Sequence, residues 1–202
     1  TADRAEKPYQ QLWGVIQGAQ YEDLRRKASR DLGGMSVNGF EFDGFGIGGA
    51  LEKENLATIV GWVTDELPDS KPRHLLGISE VDDLFAAVAV GADTFDCVSP
   101  SRVARNSAVY TRNGRVNLTG AKYRRQFGPI DDTCDCYTCT HYTAAYIHHL
   151  FKAKEMLSST LCTIHNERFV VRLVDEIRAS LVSGDFEALR EDRTGTYYGE
   201  AR

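Results

Sequence analysis

Residues 74–98, HLLGISEVDDLFAAVAVGADTFDCV, hold two short apolar runs on either side of a segment with helical periodicity. The runs at 74–78 and 94–98 have the length and composition of buried strands, and turn-forming residues follow both of them. One face of the intervening segment is apolar and carries Leu84, Ala87 and Val88. The stretch therefore predicts a strand-helix-strand unit, which is typical of parallel sheets.

Two more units of this kind precede the stretch. Apolar runs at 12–16 and 45–47 are followed by helix-like segments at 21–32 and 52–67. Such alternation predicts an α/β fold with a parallel sheet, either doubly wound or a barrel, and a TIM-type (β/α)8 barrel needs eight units. Because the chain opens on Thr1 without an initiating Met, we expect the second half of a barrel whose first half is missing.

The pattern changes after residue 98, where a loop-rich basic stretch leads to a cysteine cluster and two long helical segments. The second helical segment is the clearer one, and Gly184 is placed to end it. Its apolar stripe consists of Phe169, Leu173, Ile177 and Leu181. We therefore expect a helical subdomain after the barrel half.

The composition is that of a globular protein, since 42% of the 202 residues are hydrophobic and 26% are charged. No stretch approaches the roughly 20 apolar residues of a membrane helix. Charged residues and Pro8 occupy the first twenty positions, where a signal peptide would have an apolar core. We expect a soluble, cytoplasmic protein with no membrane segment.

Three of the five cysteines, Cys134, Cys136 and Cys139, fall within six positions. An odd number of cysteines with this clustering fits a disulfide framework poorly. One loop could instead wrap three thiolates around a tetrahedral ion, and zinc prefers such soft ligands. The candidates for a fourth ligand are His141, His148, His149, Cys162 and His165. His165 gains weight because it lies just before the second helical segment.

The basic residues are unevenly distributed, although the formal net charge is −5. No Asp or Glu interrupts a basic stretch that contains Arg102, Arg105, Arg112, Arg115, Lys122, Arg124 and Arg125. Such a stretch can neutralise several phosphates and release their counterions, which favours nucleic-acid binding. A solvated basic face is the alternative interpretation.

Asp96 lies at the end of the last strand-like run, where barrel enzymes place their chemistry. Its carboxylate could attack an anomeric carbon and form a covalent glycosyl-enzyme intermediate, or it could cap the following turn. Because strand residues alternate in direction, we expect Cys97 to point away from the site and to pack in the core.

Two earlier strand ends are rich in glycine, at 15–18 and 46–49. They predict either tight turns or a close approach of the backbone to a flat ligand. Gln17 offers both a donor and an acceptor to the edge of a purine.

Several of these segments occur in a fixed order: Val15-Ile-Gln-Gly18, Gly46-Ile-Gly-Gly49, Phe95-Asp-Cys-Val98, Arg105-Asn106, Cys134-x-Cys136-x-x-Cys139 and His165-Asn166. In this order, and over nearly its whole length, the sequence resembles tRNA-guanine transglycosylases. The resemblance implies exchange of guanine at the wobble position of the tRNA anticodon for a 7-deazaguanine base, as in queuosine modification. It implies that Asp96 is the nucleophile that attacks the ribose.

The resemblance also implies roles for the other candidate residues. Gln17, Gly48 and Gly49 match residues that recognise the base, and Arg102 and Arg105 lie where the family contacts the anticodon loop. The implied zinc ligands are Cys134, Cys136, Cys139 and His165. On this basis we expect a barrel half at 1–125, a zinc-binding helical subdomain at 126–202, and a homodimer in the full-length enzyme.

Two departures from the family pattern affect these expectations. The first barrel half, with a second catalytic aspartate, is missing, so we expect this chain alone to be inactive. The segment after Gly49 reads Ala50-Leu51-Glu52-Lys53, which differs from bacterial members and leaves the choice of incoming base open. A noncatalytic, zinc-stabilised RNA-binding partner subunit is the alternative function.

Overall fold

The computed structural model describes residues 6–49 and 53–199. We assigned the choice of the incoming base to the segment 50–53, of which only Lys53 lies within the described residues. Contacts within the chain divide it into two compact units, Thr1–Cys97 and Val98–Arg202. The sequence-based boundary at 125/126 is later than this division.

The first unit is a four-stranded parallel sheet with strand order β1-β2-β3-β4. Its strands are β1 Trp13–Ile16, β2 Gly44–Ile47, β3 Arg73–Leu76 and β4 Thr94–Asp96. The helices between them are α1 Glu22–Gly33, α2 Leu56–Thr64 and α3 Val81–Ala89, and a short 3₁₀ turn, Lys53–Asn55, precedes α2. The predicted alternation of strands and helices is therefore confirmed.

The strand order is sequential, and no reversal occurs among the four described strands. In a doubly wound sheet the order reverses at a switch point, whereas in a barrel each strand pairs with the next one along the chain. Ile16, Ile47 and Leu75 are fully buried in the core of this unit. On the opposite face, Val15 and Leu76 remain exposed, so this face of the sheet is open.

The second unit contains a two-stranded hairpin and five helices among its described residues. The hairpin pairs β5 Ala108–Thr111 with β6 Gly114–Asn117 in antiparallel register. The helices are α4 Ser99–Arg105, α5 Tyr137–His141, α6 Ala144–Lys152, α7 Leu157–Ser183 and α8 Phe186–Tyr198, and a 3₁₀ turn spans Ala121–Arg125. We had predicted neither the hairpin nor α8.

Helix α7 differs from the sequence prediction in its start and in its apolar stripe. It begins at Leu157, so His165 lies inside the helix and not before it. Leu173 and Ile177 are buried as predicted, but Leu181 is 53% exposed because it lies near the end of the helix. Gly184 ends the helix in the left-handed conformation, with φ of 84°, as predicted.

The amide of Asn166 connects three elements of the second unit. This buried side chain on α7 donates to the carbonyls of Pro100 and Ala108 and accepts from the N–H of Tyr110. Helix α4 and strand β5 are thereby held against α7. For this reason the basic stretch from Arg102 onward belongs to the helical unit and not to the sheet.

None of the helices in the described part of the chain is long and apolar enough to cross a membrane.

Candidate functional site

The Asp96 carboxylate lies at the carboxyl end of β4, and 59% of the side chain is exposed. Its Oδ1 accepts a hydrogen bond from the N–H of Gly77 at 3.2 Å and lies 3.0 Å from Nε2 of His74. An acid in this position avoids the cost of burial among apolar groups because it has polar partners and contact with solvent. The carboxylate is therefore accessible to a ligand.

The alternative role of Asp96, capping the next turn, does not fit this geometry. Helix α4 begins at Ser99 with Val98 as its N-cap residue, and no side chain caps it. The hydrogen bonds of Asp96 run back to the β3 strand and the Gly77 that follows it.

Cys97 differs from the sequence prediction. Its thiol is only partly buried and donates to the carbonyl of Gly77 at 3.3 Å, so it does not pack in the apolar core. The strand ends at Asp96, and the alternation that we applied to Cys97 does not extend past that end.

The side chain of Gln17 lies against the two glycines that follow β2. A Cβ atom added at Gly48 would be 3.0 Å from Nε2 of Gln17, and one added at Gly49 would be 2.8 Å from Oε1. Gly49 also has φ of 94°, which L side chains rarely adopt. The glycines therefore leave the space that the exposed amide of Gln17 occupies, and the three predicted base-binding residues lie together.

Arg25 anchors the two strand ends that carry Gln17 and the glycines Gly48 and Gly49. We had not predicted this role from the sequence. Its fully buried guanidinium donates to the carbonyls of Ile16, Ala19 and Gly48, at 3.3, 2.9 and 2.6 Å. Burial lowers the pKa of Arg25 from its usual value. Nη2 has no hydrogen-bond partner among the described residues, and it lies 3.1 Å from where a Cβ of Gly49 would stand.

The helical periodicity contains a signal for this arginine. Arg25 occupies an inward-facing position of α1, in line with Ala28, Ser29 and Leu32. An arginine on the core-facing side of a helix must find buried acceptors, and strand-end carbonyls provide them here.

Replacing Arg25 with Met should destabilise the first unit by about 2–4 kcal/mol, because carbonyls bonded to a charged donor would lose their partner while remaining buried. Denaturant unfolding followed by circular dichroism measures this loss. Lys27→Met is the matched control, since the Lys27 side chain on the same helix is 67% exposed. Equal stability of the two variants would contradict the anchoring role of Arg25.

Cys134, Cys136, Cys139 and His165 form a compact group in the second unit. Their ligand atoms all lie within 4.8 Å of one another. Ligand atoms around a tetrahedral zinc with Zn–S bonds near 2.3 Å are separated by about 3.8 Å. Nδ1 of His165 lies 3.3 Å from the sulfur of Cys139 and 3.7 Å from that of Cys136. The group is a Cys3His zinc-binding site, as predicted.

The tautomer of His165 supports its role as the fourth ligand. Its Nε2 lies 2.7 Å from the carbonyl of Tyr110, which can only accept a hydrogen bond. The proton is therefore on Nε2, and the lone pair of Nδ1 faces the sulfurs. The protein backbone holds the imidazole in the form that binds a metal.

The other candidates for the fourth ligand have different roles. His148 is buried with Nδ1 2.8 Å from the carbonyl of Leu118, and Cys162 is fully buried in the apolar core. Cys162 also lies outside the group of residues whose ligand atoms come within 4.8 Å of one another. His141 and His149 are exposed to solvent.

The crowding of the three thiols is electrostatically unfavourable without a cation. Hydrogen bonding with Cys134 and then Cys139 lowers the pKa of Cys136 to about 3, whereas the same contacts with Cys134 and Cys136 raise the pKa of Cys139. One thiolate therefore forms at the expense of its neighbours. A divalent ion relieves this conflict because it stabilises all three sulfurs as thiolates at once, which leaves the site with a net charge of about −1.

Residues 134–139, which carry the three cysteines and are called the zinc loop below, are fixed to helix α7 by their side chains. Asp135 forms a bidentate ion pair with Arg168, with N···O distances of 2.8 and 2.7 Å. The buried hydroxyl of Thr138 donates to the carbonyl of Leu161 at 2.7 Å. Because α7 also carries His165, the loop and the fourth ligand are held on the same element.

The basic stretch presents Arg102 and Arg105 on α4, at a spacing that places them on one helix face. Both side chains are exposed, and no ion pair involves them within the described ranges. Arg112 differs, since it pairs with Asp192 at 3.1 Å. Arg102 and Arg105 therefore offer uncompensated positive charge.

Comparisons with known proteins agree with this geometry. The family model described as queuine tRNA-ribosyltransferase matches residues 1–199. A queuine tRNA-ribosyltransferase of Lactococcus lactis is 43% identical over 183 residues, which are 91% of this chain and 47% of the relative. One from a Thermoanaerobacter species is 42% identical over 197 residues, or 95% of this chain and 50% of the relative.

A third relative is matched over a similar share of both chains. The queuine tRNA-ribosyltransferase of Bacillus subtilis is 40% identical over 191 residues, which are 95% of this chain and 48% of that protein. The chain spans about half the length of the curated relatives that it matches. By these matches, together with its Cys3His site, the chain belongs to the queuine tRNA-ribosyltransferase family.

Proposed function

We propose that this chain provides the catalytic half of a tRNA-guanine transglycosylase, a pentosyltransferase. The enzyme replaces guanine at the anticodon wobble position with a 7-deazaguanine base, for queuosine modification. The accessible carboxylate of Asp96 is the observation that carries this proposal. It lies at a strand end, where its Oδ1 has two polar partners and its side chain is exposed.

In the proposed reaction a carboxylate oxygen of Asp96 forms a bond to C1′ of the ribose, and the bond from C1′ to guanine breaks. Guanine leaves with the electron pair and takes up a proton. The incoming 7-deazaguanine then loses a proton from its ring nitrogen, attacks C1′ and restores the carboxylate. Protons and charge balance over the two steps, as in other double-displacement glycosyl transfers.

We assign recognition of the base to Gln17, Gly48 and Gly49. The exposed amide of Gln17 can donate to one edge atom of a purine and accept from another. The glycines expose their backbone N–H and C=O groups without an intervening side chain. Arg25 supports this assignment because its buried guanidinium donates a hydrogen bond to the carbonyl of Gly48 and so fixes the position of that backbone.

We assign contact with the anticodon loop to Arg102 and Arg105. An unpaired loop lets the target base leave its stack at little cost, so positive charge near the loop phosphates is what binding requires. Both guanidinium groups are exposed, and no acidic residue in the described ranges pairs with them.

The Arg102→Gln/Arg105→Gln variant should bind tRNA about 10-fold more weakly at moderate salt. It should also reduce the slope of log K against log salt by about 1 to 2, since each lost phosphate contact contributes about 0.7–0.9. Filter binding over a range of salt concentrations measures both quantities.

The matched control for this prediction is Arg112→Gln. Arg112 lies in the same basic stretch but is already paired with Asp192, so its loss should change the salt slope less. If Arg112→Gln lowers the salt slope as much as the double variant does, positive charge anywhere in the basic stretch contributes equally to tRNA binding. The assignment of the anticodon-loop contact to Arg102 and Arg105 would then be wrong.

We also propose that the open sheet is half of a (β/α)8 barrel, followed by the zinc-binding subdomain. The sequential strand order and the exposed face with Val15 and Leu76 support this proposal. The test uses this chain alone and the same chain joined to the amino-terminal half of the Bacillus subtilis relative, called the fused chain below. We expect incorporation of labelled guanine into tRNA by the fused chain and none by this chain alone.

A fused chain that folds but neither exchanges guanine nor forms a covalent tRNA adduct would reject the proposed activity. The noncatalytic RNA-binding role would then be the better interpretation. The accessible carboxylate argues against that role, because docking to RNA gains nothing from an acidic group at a strand end.

We further propose that the full-length enzyme is a cytoplasmic homodimer. Five free cysteines fit a reducing compartment. An aromatic patch of the second unit fits an interface: Tyr137 stacks on His141 with centroids 4.4 Å apart, and Tyr142 stacks on Tyr146 at 5.6 Å. Exposed aromatic groups of this kind are enriched at the centres of protein interfaces.

Tyr146→Ala in the fused chain should shift the dimer toward monomer by about 10-fold or more in the dissociation constant. Light scattering coupled to size exclusion measures this change. Phe127→Ala is the control, because Phe127 is 78% exposed and is not part of the aromatic patch. A fused chain that remains monomeric at high concentration would reject the homodimer.

A further inference from the structure

His74 lies beside the proposed nucleophile because of the register of the sheet. His74 pairs with Thr94 across the parallel strands β3 and β4, and Asp96 is two residues further along β4. Side chains two residues apart on a strand point to the same face. The imidazole therefore lies on the face that carries both the Thr94 hydroxyl and the Asp96 carboxylate.

The two nitrogens of His74 have different partners. Nδ1 lies 2.8 Å from the hydroxyl oxygen of Thr94, and Nε2 lies 3.0 Å from Oδ1 of Asp96. A carboxylate can only accept, so a neutral imidazole must carry its proton on Nε2. Nδ1 is then the acceptor for the Thr94 hydroxyl, which makes a directed chain from Thr94 through His74 to Asp96.

The two oxygens of Asp96 are consequently not equivalent. Oδ1 receives two donors, Nε2–H of His74 and N–H of Gly77. No hydrogen bond from the described residues reaches Oδ2. Two donors on one oxygen fix the rotation of the carboxylate plane, and the second oxygen is the one that no donor of the described residues engages.

We propose that His74 is a positioning residue for the nucleophile: it holds Oδ1 of Asp96 so that Oδ2 attacks the ribose. The inference rests on the proposed function, since it names which oxygen forms the bond to C1′. In the resulting ester, Oδ1 is the carbonyl oxygen and keeps its two donors. When the incoming base displaces the ester, the same donors stabilise the returning carboxylate charge.

A positioning role predicts an effect on the chemical step and not on tRNA binding. A misdirected nucleophile lowers the fraction of encounters with correct geometry, and small displacements of this kind cost up to about 100-fold in rate. The tRNA contacts lie elsewhere, so KM should change little. His74→Phe removes both nitrogens but keeps an aromatic ring for the edge contact with Trp13, whose centroid is 6.4 Å away.

The first test is a spectroscopic one on the chain of 202 residues and needs no activity. Long-range ¹H–¹⁵N spectra assign the tautomer of His74, and we expect the proton on Nε2. In Asp96→Ala the Nε2 resonance should shift because its acceptor is lost. A proton on Nδ1, or an Nε2 resonance that ignores Asp96→Ala, would overturn the proposal whether or not the enzyme is active.

The second test measures kinetics in the fused chain. His74→Phe should lower the rate of covalent adduct formation by about 10- to 100-fold with KM for tRNA within about 2-fold of the unmodified protein. His74→Gln should recover part of the rate, because its amide supplies an N–H near the position of Nε2.

The outcomes of the kinetic test are distinct. A His74→Phe variant with an unchanged adduct rate would reject the role of His74 while the activity itself stands. A rise in KM alone, or no recovery with Gln, would make His74 a structural residue. If the unmodified fused chain forms no adduct, the proposed function fails, and the tautomer measurement still decides whether His74 orients the carboxylate.

Discussion

Replacing Asp96 with Asn in the fused chain should abolish the covalent tRNA adduct and lower base exchange by about 10⁴-fold or more. The amide lacks the negative charge that attacks C1′, and no other acid within the described ranges forms the same contacts with His74 and Gly77. A denaturing gel with labelled tRNA detects the adduct, and incorporation of labelled guanine measures the exchange.

The loss should be specific to the chemical step. Because the Asp96 side chain is 59% exposed and Asn has nearly the same shape, the fold and the tRNA affinity should be retained. An Asp96→Asn protein that unfolds at a clearly lower temperature would indicate a structural carboxylate instead.

Asp93→Asn is the matched control for this prediction. Asp93 lies three residues upstream and is also partly exposed, but its carboxylate accepts from the backbone N–H of Arg73 at 2.8 Å and supports the sheet. The control should keep the adduct. An adduct that persists in Asp96→Asn would remove Asp96 from the role of nucleophile.

The strands and the zinc ligands were predictable because their signals are local. A buried strand needs a short apolar run and a helix needs a periodic face, and both are visible in the residues from 74 to 98. Three cysteines within six positions likewise define a metal loop without knowledge of the fold. Only the fourth ligand could not be identified without the fold. His165 reaches the zinc loop on helix α7, whose start we had predicted too late in the sequence.

The features that sequence analysis missed depend on contacts between distant segments. In the sequence, Arg25 is one of several charged residues of a helix, and its role becomes visible only when its acceptors, the carbonyls of Ile16 and Gly48, are in place. The pairing of His74 with Asp96 requires the strand register, which apolar runs do not specify. The hairpin β5–β6 was missed because basic residues and turns weaken its strand pattern.

The domain boundary illustrates the same point. The family resemblance predicted that the residues between 98 and 125 belong with the strand-helix units, whereas contacts within the chain group them with the helices of the second unit. The decisive contact is the amide of Asn166, which bonds to Pro100 and Ala108. Amino-acid composition does not reveal that a single buried amide forms hydrogen bonds with three backbone groups.

Loss of a zinc ligand should have the second large effect, on the stability of the second unit. Cys139→Ala should remove bound zinc and destabilise this unit by about 5 kcal/mol or more. Structural zinc contributes about 10–16 kcal/mol in small domains that cannot fold without it, and here an apolar core offsets part of the loss. Metal analysis by mass spectrometry and thermal unfolding with and without a chelator measure the two effects.

Cys162→Ala separates the metal from the general effect of removing a buried cysteine. Cys162 is also buried but lies outside the ligand group, so this variant should keep its zinc and lose only about 1 kcal/mol. Because four protein ligands leave no open position for water, the ion should hold α7 and the zinc loop together without taking part in base exchange. Chelation should then reduce exchange only as far as it unfolds the second unit. Activity lost while the unit stays folded would contradict this structural role, as would full zinc content in Cys139→Ala.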